Sequence, residues 1–352
     1  MIKISAILNV WNNVWPYLIA ILLFLVLIVI HEFGHFIAAK LLGVRVNEFA
    51  VGFGPKLFSK QKGETKYSLN LIPLGGYCAM EGEDEESNDD RAFCKKKPWR
   101  RFIIVVMGAV FNLLLGLIIV AIILAPSKAF TSTVIAEFDE NAKSSQTGLM
   151  VNDKILEAEG RKIFTTYDLS YAFTNVKDGK IDLTVERNGK EVLLKNVEFE
   201  SEEYDGISYL TVDFKVYGIK KTFGSYIKYT FNTAISYCAV IWRSLIDVIG
   251  GKYGISAVSG PVGVTAAIGQ AAKQSLQNVL PIMAIITINL GLFNLLPIPA
   301  LDGGRLLFIL IEMIARKPIP QKWEAAIHTA GFVILIAFMI LVAAKDIWTL
   351  IF

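Results

Sequence analysis

The chain has 352 residues, of which 54% are hydrophobic and 19% are charged, and its net charge is +3. Soluble proteins carry about 25% charged residues, so this composition argues against an ordinary soluble domain and favours an integral membrane protein. The net charge is too small to indicate nucleic-acid binding, and no patch combines basic with aromatic residues. We therefore expect a lipid bilayer as a partner and no nucleic acid.

Four segments are apolar and long enough to cross a bilayer, which takes about 20 residues. They cover roughly residues 15–39, 101–125, 279–299 and 326–344. Lysine and arginine residues are concentrated in the loop after the first segment and in the loop between the third and the fourth. By the positive-inside rule these loops face the cytoplasm, which leaves both termini and residues 127–278 on the outer side.

The first predicted span ends in the motif HEFGH, which contains His31, Glu32 and His35. Ionisable side chains are costly inside a bilayer and usually serve a function there. On a helix, HExxH places two imidazoles on one face, where they can bind zinc, with a carboxylate beside them. Bound zinc lowers the pKa of a water to about 7, and Glu32 could pass its proton to a leaving amine. The alternative is a pair of interfacial histidines beside a carboxylate that forms a cap or an ion pair; the specificity of the motif favours the metal.

Three stretches outside the spans have their own patterns. Alternating residues at 46–50 and 67–71, separated by a glycine-rich connection, form a pattern that is compatible with two strands. From 127 to 216 charges of both signs and short alternating runs predict a soluble domain of about 90 residues, in which Asn188-Gly189 predicts a two-residue hairpin turn. Residues 222–250 mix tyrosine and tryptophan with polar residues, which predicts an amphipathic helix at the outer interface or a fifth segment that enters the membrane.

A catalytic zinc site needs a third protein ligand besides the two histidines. Asp302 is the better candidate, because Pro297 and Pro299 break the third span just before it. Asp302 could instead cap a helix over 305–314. His328, at the start of the fourth span, could also be a ligand, although a snorkelling or hydrogen-bonded histidine at a helix end is the favoured interpretation.

HEFGH at 31–35, together with NLLPIPALDGGR at 294–305, resembles the site-2 protease family of intramembrane zinc metalloproteases. The resemblance is to the bacterial branch known as regulator of sigma-E protease, and it continues at residues 51–56, 71–77 and 260–263. It implies one zinc ion per chain, with Glu32 as the catalytic acid and base and with three metal ligands, His31, His35 and Asp302.

The resemblance also implies an architecture. The expected fold is a multi-pass α-helical membrane protein with about four transmembrane helices, a membrane-associated β-hairpin and one inserted PDZ-like α+β domain. The expected domains are the first half of the membrane core (1–126), the PDZ-like domain (127–216) and the second half of the core (217–352). Two residues depart from the family pattern. Asn152 replaces a glycine in a PDZ turn, where asparagine tolerates positive φ, and Ala109 replaces a proline that bears on the bend of the second span.

By the same resemblance, the substrates would be single-span membrane proteins already shortened outside, such as anti-sigma factors or signal-peptide remnants, in regulated intramembrane proteolysis. The PDZ-like domain could exclude uncut substrates or bind peptide C-termini. The hairpin around Gly52 and Gly54 has a free edge that could hold an extended substrate by backbone pairing. Asn289 and Asn294 could bond the substrate backbone or hold helices together. We expect a bacterial cell membrane, with the active site near the cytoplasmic side and with the PDZ-like domain and both termini outside.

Two other functions remain open from the sequence. A non-proteolytic membrane scaffold or chaperone could use a PDZ-like domain to gather partners, and it would tolerate loss of the Glu32 carboxylate. A metal transporter could line a pathway with HExxH, but it should have further carboxylates or histidines along the route, and the second and fourth spans offer little beyond Asn112 and His328.

Overall fold

A computed structural model describes residues 2–351 except 84, 86, 175, 177, 205, 206, 254–257 and 318. In chain order its elements are α1 (Ile2–Leu41), β1 (Val46–Lys62), β2 (Thr65–Met80), α2 (Pro98–Leu124), β3 (Ala129–Phe138), α3 (Lys143–Gln146), β4 (Lys154–Ala158), β5 (Arg161–Lys162), α4 (Thr166–Ala172), β6 (Lys180–Arg187), β7 (Lys190–Glu198), β8 (Glu200–Tyr204), β9 (Ile207–Thr211), β10 (Phe214–Lys220), α5 (Phe223–Ile249), α6 (Pro261–Gln274), α7 (Val279–Phe293), α8 (Asp302–Ala315) and α9 (Gln321–Ile351). By its internal contacts the chain divides into two units, one formed by 1–119 with 251–352 and the other by 120–250. We call them the helical unit and the β-rich unit.

Four helices among the described residues are long and apolar enough to cross a membrane. They contain Val14–Leu41, Pro98–Leu124, Leu276–Phe293 and Lys322–Thr349, so the four predicted spans are confirmed and the protein is a multi-pass membrane protein. The third helix ends at Phe293 rather than near residue 299, because a residue before a proline is driven out of the helical conformation. The amphipathic α5 forms as predicted over 27 residues and is not among the four.

The predicted β-hairpin forms in the helical unit, and its turn lies near the end of the expected connection. Lys62 pairs with Thr65, so the strands are joined at Gly63 and Glu64. Gly52 and Gly54 instead have φ of +84° and +83° and bend β1 within the strand. Because of this bend, residues 48–51 pair on one side with 76–79 and on the other with 66–69. The two strands therefore build a sheet four segments wide, with residues 76–80 at one edge.

A hydrophobic core joins α1, α2, β2 and α8 in the helical unit. Ala39 of α1, Ile104 of α2 and Leu306 of α8 are buried in it, together with Val46 and Cys78 from the sheet. Burial of this apolar surface fixes the C-terminal part of α1 and the inner face of α8 against the N-terminal third of α2. These are the segments that carry the chemically active residues.

The β-rich unit has a sheet in the order β10-β3-β4-β6-β7, with β5 paired to β4. Asn188 and Gly189 both have positive φ between β6 and β7, which confirms the predicted two-residue turn, and Asn152 adopts φ +71° as expected for its turn. The sheet extends from Ala129 to Lys220, beyond the predicted 127–216 at its C-terminal end. The buried carboxylate of Asp153 holds the Arg187 guanidinium at 2.7 Å, and this hydrogen bond raises the pKa of Arg187 above its ordinary value.

Helix α5 belongs to the β-rich unit through polar contacts with α4 and β5. Asp168, which is fully buried, accepts hydrogen bonds from Ser236 and Arg243. Near the end of α5, Asp247 receives two hydrogen bonds from Arg161. The helix therefore belongs with residues 120–250 by its contacts, although its sequence was expected to lead into the second half of the membrane core.

Candidate metal centre

The two histidines of HEFGH lie side by side near the end of α1. Both are buried, and their Nε2 atoms are 3.3 Å apart. The rings meet edge to face with centroids 4.8 Å apart, so that both Nε2 atoms point toward one position. This is the arrangement that four-residue spacing on a helix produces.

Asp302 approaches the same position from the other end of the chain. Its Oδ2 lies 3.0 Å from Nε2 of His31 and 3.1 Å from Nε2 of His35, and no hydrogen-bond donor among the described residues satisfies this buried oxygen. The N-cap residue of α8 is Leu301, and Asp302 is the first residue of the helix. The carboxylate therefore faces the histidines, and the capping alternative loses support.

The three atoms fit a zinc ion. Zinc–ligand bonds of about 2.0–2.1 Å in a tetrahedron separate neighbouring ligand atoms by about 3.3–3.4 Å, and the observed separations are 3.0, 3.1 and 3.3 Å. A buried oxygen and two ring nitrogens this close would repel one another unless a proton or a cation lay between them. Among the described residues, His31, His35 and Asp302 are the group of histidine, cysteine or acidic side chains with metal-ligand spacing.

Residues of helix α2 contact the Nδ1 atom of each imidazole. Nδ1 of His35 donates to the backbone carbonyl of Ile104 at 2.9 Å, which leaves Nε2 as the acceptor atom. Nδ2 of the fully buried Asn112 lies 3.2 Å from Nδ1 of His31, and Oδ1 of Asn112 has no hydrogen-bond partner among the described residues. A half-turn of this amide lets Oδ1 accept the Nδ1 proton, which again leaves Nε2 free for a metal.

Gly108 provides the space that the imidazoles occupy. A Cβ built on Gly108 would lie 2.4 Å from Nε2 of His35 and 2.8 Å from Cε1 of His31. The sequence does not by itself assign functions to Ile104, Gly108 and Asn112. Their spacing of four residues places them on one face of a helix, but it does not show that this face meets the histidines.

Glu32 lies beside the three side chains and next to the edge of the β1–β2 sheet. It interacts electrostatically with His31, His35 and Asp302, and its Cγ is 3.7 Å from the position of a Cβ on Gly76. The structure therefore brings the predicted acid/base residue and the three predicted ligands together, at the edge segment 76–80.

The other predicted residues lie outside this cluster. Asn294 is buried at the C-cap of α7, and Asn289 lies within α7, where its Oδ1 has no hydrogen-bond partner in the part of the chain that the structure describes. Gly52 and Gly54 lie in the bend of β1. Nδ1 of His328 accepts the backbone N–H of Ala300 at 3.1 Å; this bond supports the interpretation of His328 as a hydrogen-bonded histidine rather than a ligand.

One protein-family model matches most of the chain. The family model described as peptidase family M50 matches residues 19–338. The chain belongs to peptidase family M50. This is the site-2 protease family, as the HEFGH and LDGGR motifs indicate, so the chain is a zinc metalloprotease.

Curated relatives cover nearly the whole chain. A protein of Clostridium perfringens is 41% identical over 333 residues, which are 93% of this chain and 97% of that protein. A protein of Fusobacterium nucleatum is 33% identical over 338 residues, with 95% and 99% covered. A Staphylococcus aureus protein is 27% identical over 423 residues, with 94% and 98% covered. All three carry provisional names as zinc metalloproteases.

Proposed function

We propose that this M50 protease binds one zinc ion through His31, His35 and Asp302 and cleaves single-span membrane proteins within or beside the bilayer. The observation that carries the proposal is the triangle of three ligand atoms at the end of a helix long enough to cross a membrane. Charged side chains at such a depth are rare without a function.

Zinc, Glu32 and the groups that orient the histidines have separate roles in the proposed reaction. When bound, zinc supplies a Lewis acid that lowers the pKa of water and polarises a carbonyl. Glu32 accepts the proton of the attacking water and delivers it to the leaving amine. The carbonyl of Ile104 and the amide of Asn112 hold the two imidazoles in the tautomer that presents Nε2.

The edge segment 76–80 is the proposed substrate platform. It lies beside Glu32, and its outer side has no strand partner among the described residues. A substrate strand could pair there and expose its amides, which a transmembrane helix keeps hydrogen-bonded. Gly52 and Gly54 would shape this sheet, and the amides of Asn289 and Asn294 would bind the substrate backbone.

The proposed substrates are membrane proteins already shortened outside the cell membrane, such as anti-sigma factors and signal-peptide remnants. The β-rich unit, whose segment 127–216 is proposed to be PDZ-like, and both termini would lie outside, because the basic loops mark the cytoplasmic side. Its proposed role is to exclude uncut substrates by size, in regulated intramembrane proteolysis.

The test is a cleavage assay on a panel of single-span reporters in detergent or liposomes, with zinc content measured on the same samples. Glu32→Gln should abolish cleavage and retain zinc, because it removes only the proton acceptor. Asp302→Ala should lose both. Glu140→Gln is the matched control, since Glu140 is exposed in the β-rich unit, and it should behave as wild type.

Two results would contradict the proposal. Full zinc occupancy in Asp302→Ala would remove Asp302 from the ligand set. Wild-type function with Glu32→Gln would favour a scaffold, for which the carboxylate is dispensable.

A further inference from the structure

Helix α9 packs against the residues around Asp302 with one stripe of residues on a single face. Glu324, His328 and Gly331 are spaced by four and three residues, so they lie on one face of α9. These positions are partly buried, whereas most neighbouring positions of the helix are exposed.

Each member of the stripe meets a residue close to Asp302. The Glu324 carboxylate lies 3.8 Å from Nε of Arg305, three residues after Asp302. Nδ1 of His328 accepts the N–H of Ala300, two residues before it. Gly331 packs against Pro299 so tightly that a Cβ on Gly331 would lie 2.4 Å from the Pro299 Cβ.

The contact with Ala300 is the one that bears on the metal. Ala300 has φ +77°, a conformation that costs energy for any residue with a Cβ and persists only where its surroundings hold it. Its N–H points to the His328 imidazole at 3.1 Å, and the ring of Phe308 in α8 lies 5.7 Å from that imidazole. The imidazole thus holds the strained turn that sets where α8 begins.

We propose that His328 is a positioning residue for the third metal ligand. By accepting the Ala300 N–H, it keeps the turn at residues 299–301 in the conformation that presents Oδ2 of Asp302 to His31 and His35. The inference rests on the proposed assignment of Asp302 as a ligand. His328 itself lies outside the ligand triangle and acts through the backbone.

The test is zinc affinity of the purified full-length protein, measured by competition with a chelating dye. His328→Leu should weaken zinc binding about 10- to 100-fold, the usual effect of losing a group that orients a ligand. His328→Asn should stay within about threefold of wild type, because its Oδ1 occupies nearly the place of Nδ1. The matched control is Thr329→Val, since the exposed Thr329 bonds only Ala325 of its own helix and should bind zinc normally.

A second substitution isolates the backbone effect. Ala300→Gly removes the penalty for positive φ, so the turn needs less support from His328. A double-mutant cycle compares the fold loss of zinc affinity caused by His328→Leu in two backgrounds. In the Ala300→Gly background, this fold loss should be at least about threefold smaller than in the wild-type protein. A group that merely stabilises the fold would show no such coupling to residue 300.

The proposal is overturned if His328→Leu binds zinc as wild type does, or if His328→Asn is as impaired as His328→Leu. If His328→Leu does not fold, His328→Gln replaces it; the proposal then requires His328→Asn to bind zinc at least about tenfold more tightly than His328→Gln, whose oxygen reaches past Nδ1. Asp302→Ala distinguishes a failure of the ligand assignment from a failure of the role proposed for His328. Retained zinc binding in that variant refutes the ligand assignment, whereas its loss together with normal binding in His328→Leu refutes only the role of His328.

Discussion

Replacing Gly108 by alanine should disable the metal centre with a single methyl group. The new Cβ would lie 2.4 Å from Nε2 of His35 and 2.5 Å from its Cε1. Nonbonded carbon contacts are normally about 3.5 Å or longer, so the imidazole or the helix must move by about 1 Å.

Neither movement is compatible with the ligand geometry. Zinc–ligand distances vary by about 0.2 Å, so a ring displaced by about 1 Å no longer reaches the ion. Moving α1 and α2 apart to make room would break their close backbone contact and would draw His35 away from its acceptor, the Ile104 carbonyl. A Cβ on Gly34 would lie 2.3 Å from the carbonyl oxygen of Met107. We therefore expect zinc affinity to fall by at least about 100-fold, or about 3 kcal/mol.

The assay is zinc affinity by chelator competition, with thermal unfolding recorded on the same preparations. Gly224→Ala is the control, because among the described residues a Cβ on Gly224 in α5 would meet no atom within 4 Å beyond its own helix turn; alanine there should leave zinc binding unchanged. Normal zinc affinity and normal cleavage with Gly108→Ala would refute the reasoning, since they would mean that α2 does not touch the histidines.

Three further predictions follow from other contacts. Asn112→Leu removes the partner of Nδ1 of His31 and should weaken zinc binding about 10- to 100-fold; chelator competition checks this, and unchanged affinity would exclude Asn112 as that partner. Arg187→Leu leaves the Asp153 carboxylate buried without its cation and should destabilise the β-rich unit by about 3–5 kcal/mol. Lys154→Ala breaks only the exposed pair with Glu186 and should cost at most about 1 kcal/mol; pulse proteolysis in denaturant compares the two, and equal losses would contradict the argument. Stripping zinc with a chelator should abolish cleavage and lower the melting temperature, because an ion present at a thousand times its Kd stabilises the folded state by about 4 kcal/mol; the effects should reverse on adding zinc, and an unchanged melting temperature would contradict a metal bound to the folded state.

The sequence predicts the parts of this protein whose signals are local. Hydropathy over about 20 residues gives the four spans, the HExxH spacing gives the histidine pair, and Asn188-Gly189 gives its turn. The turn of the β1–β2 hairpin lies at Gly63 and Glu64, within the expected connection, but most of that connection is strand, in which Gly52 and Gly54 permit a bend.

The contacts that the sequence does not reveal join distant elements. Ala300 has positive φ although alanine gives no hint of it, and its bond to His328 crosses from the turn to α9. The roles of Asn112 and Gly108 depend on which face of α2 meets α1, and an apolar helix has no strong polar face to indicate this.

Helix α2 is the element that would assemble the proposed metal centre from two segments distant in sequence. Ile104, Gly108 and Asn112 lie on one face of it and supply a carbonyl acceptor, an open space and an amide to the two histidines. Ile104 also lies in the core that packs α1 against α8, the helix that Asp302 begins. Because one face of α2 contacts both imidazoles and packs against α8, the proposed third ligand can be separated in sequence from the two histidines by the entire β-rich unit and still lie beside them. The packing of α8 and the proposed support from His328 together account for the strained turn at Ala300, which joins α8 with the Asp302 carboxylate aimed at the point that both imidazoles face.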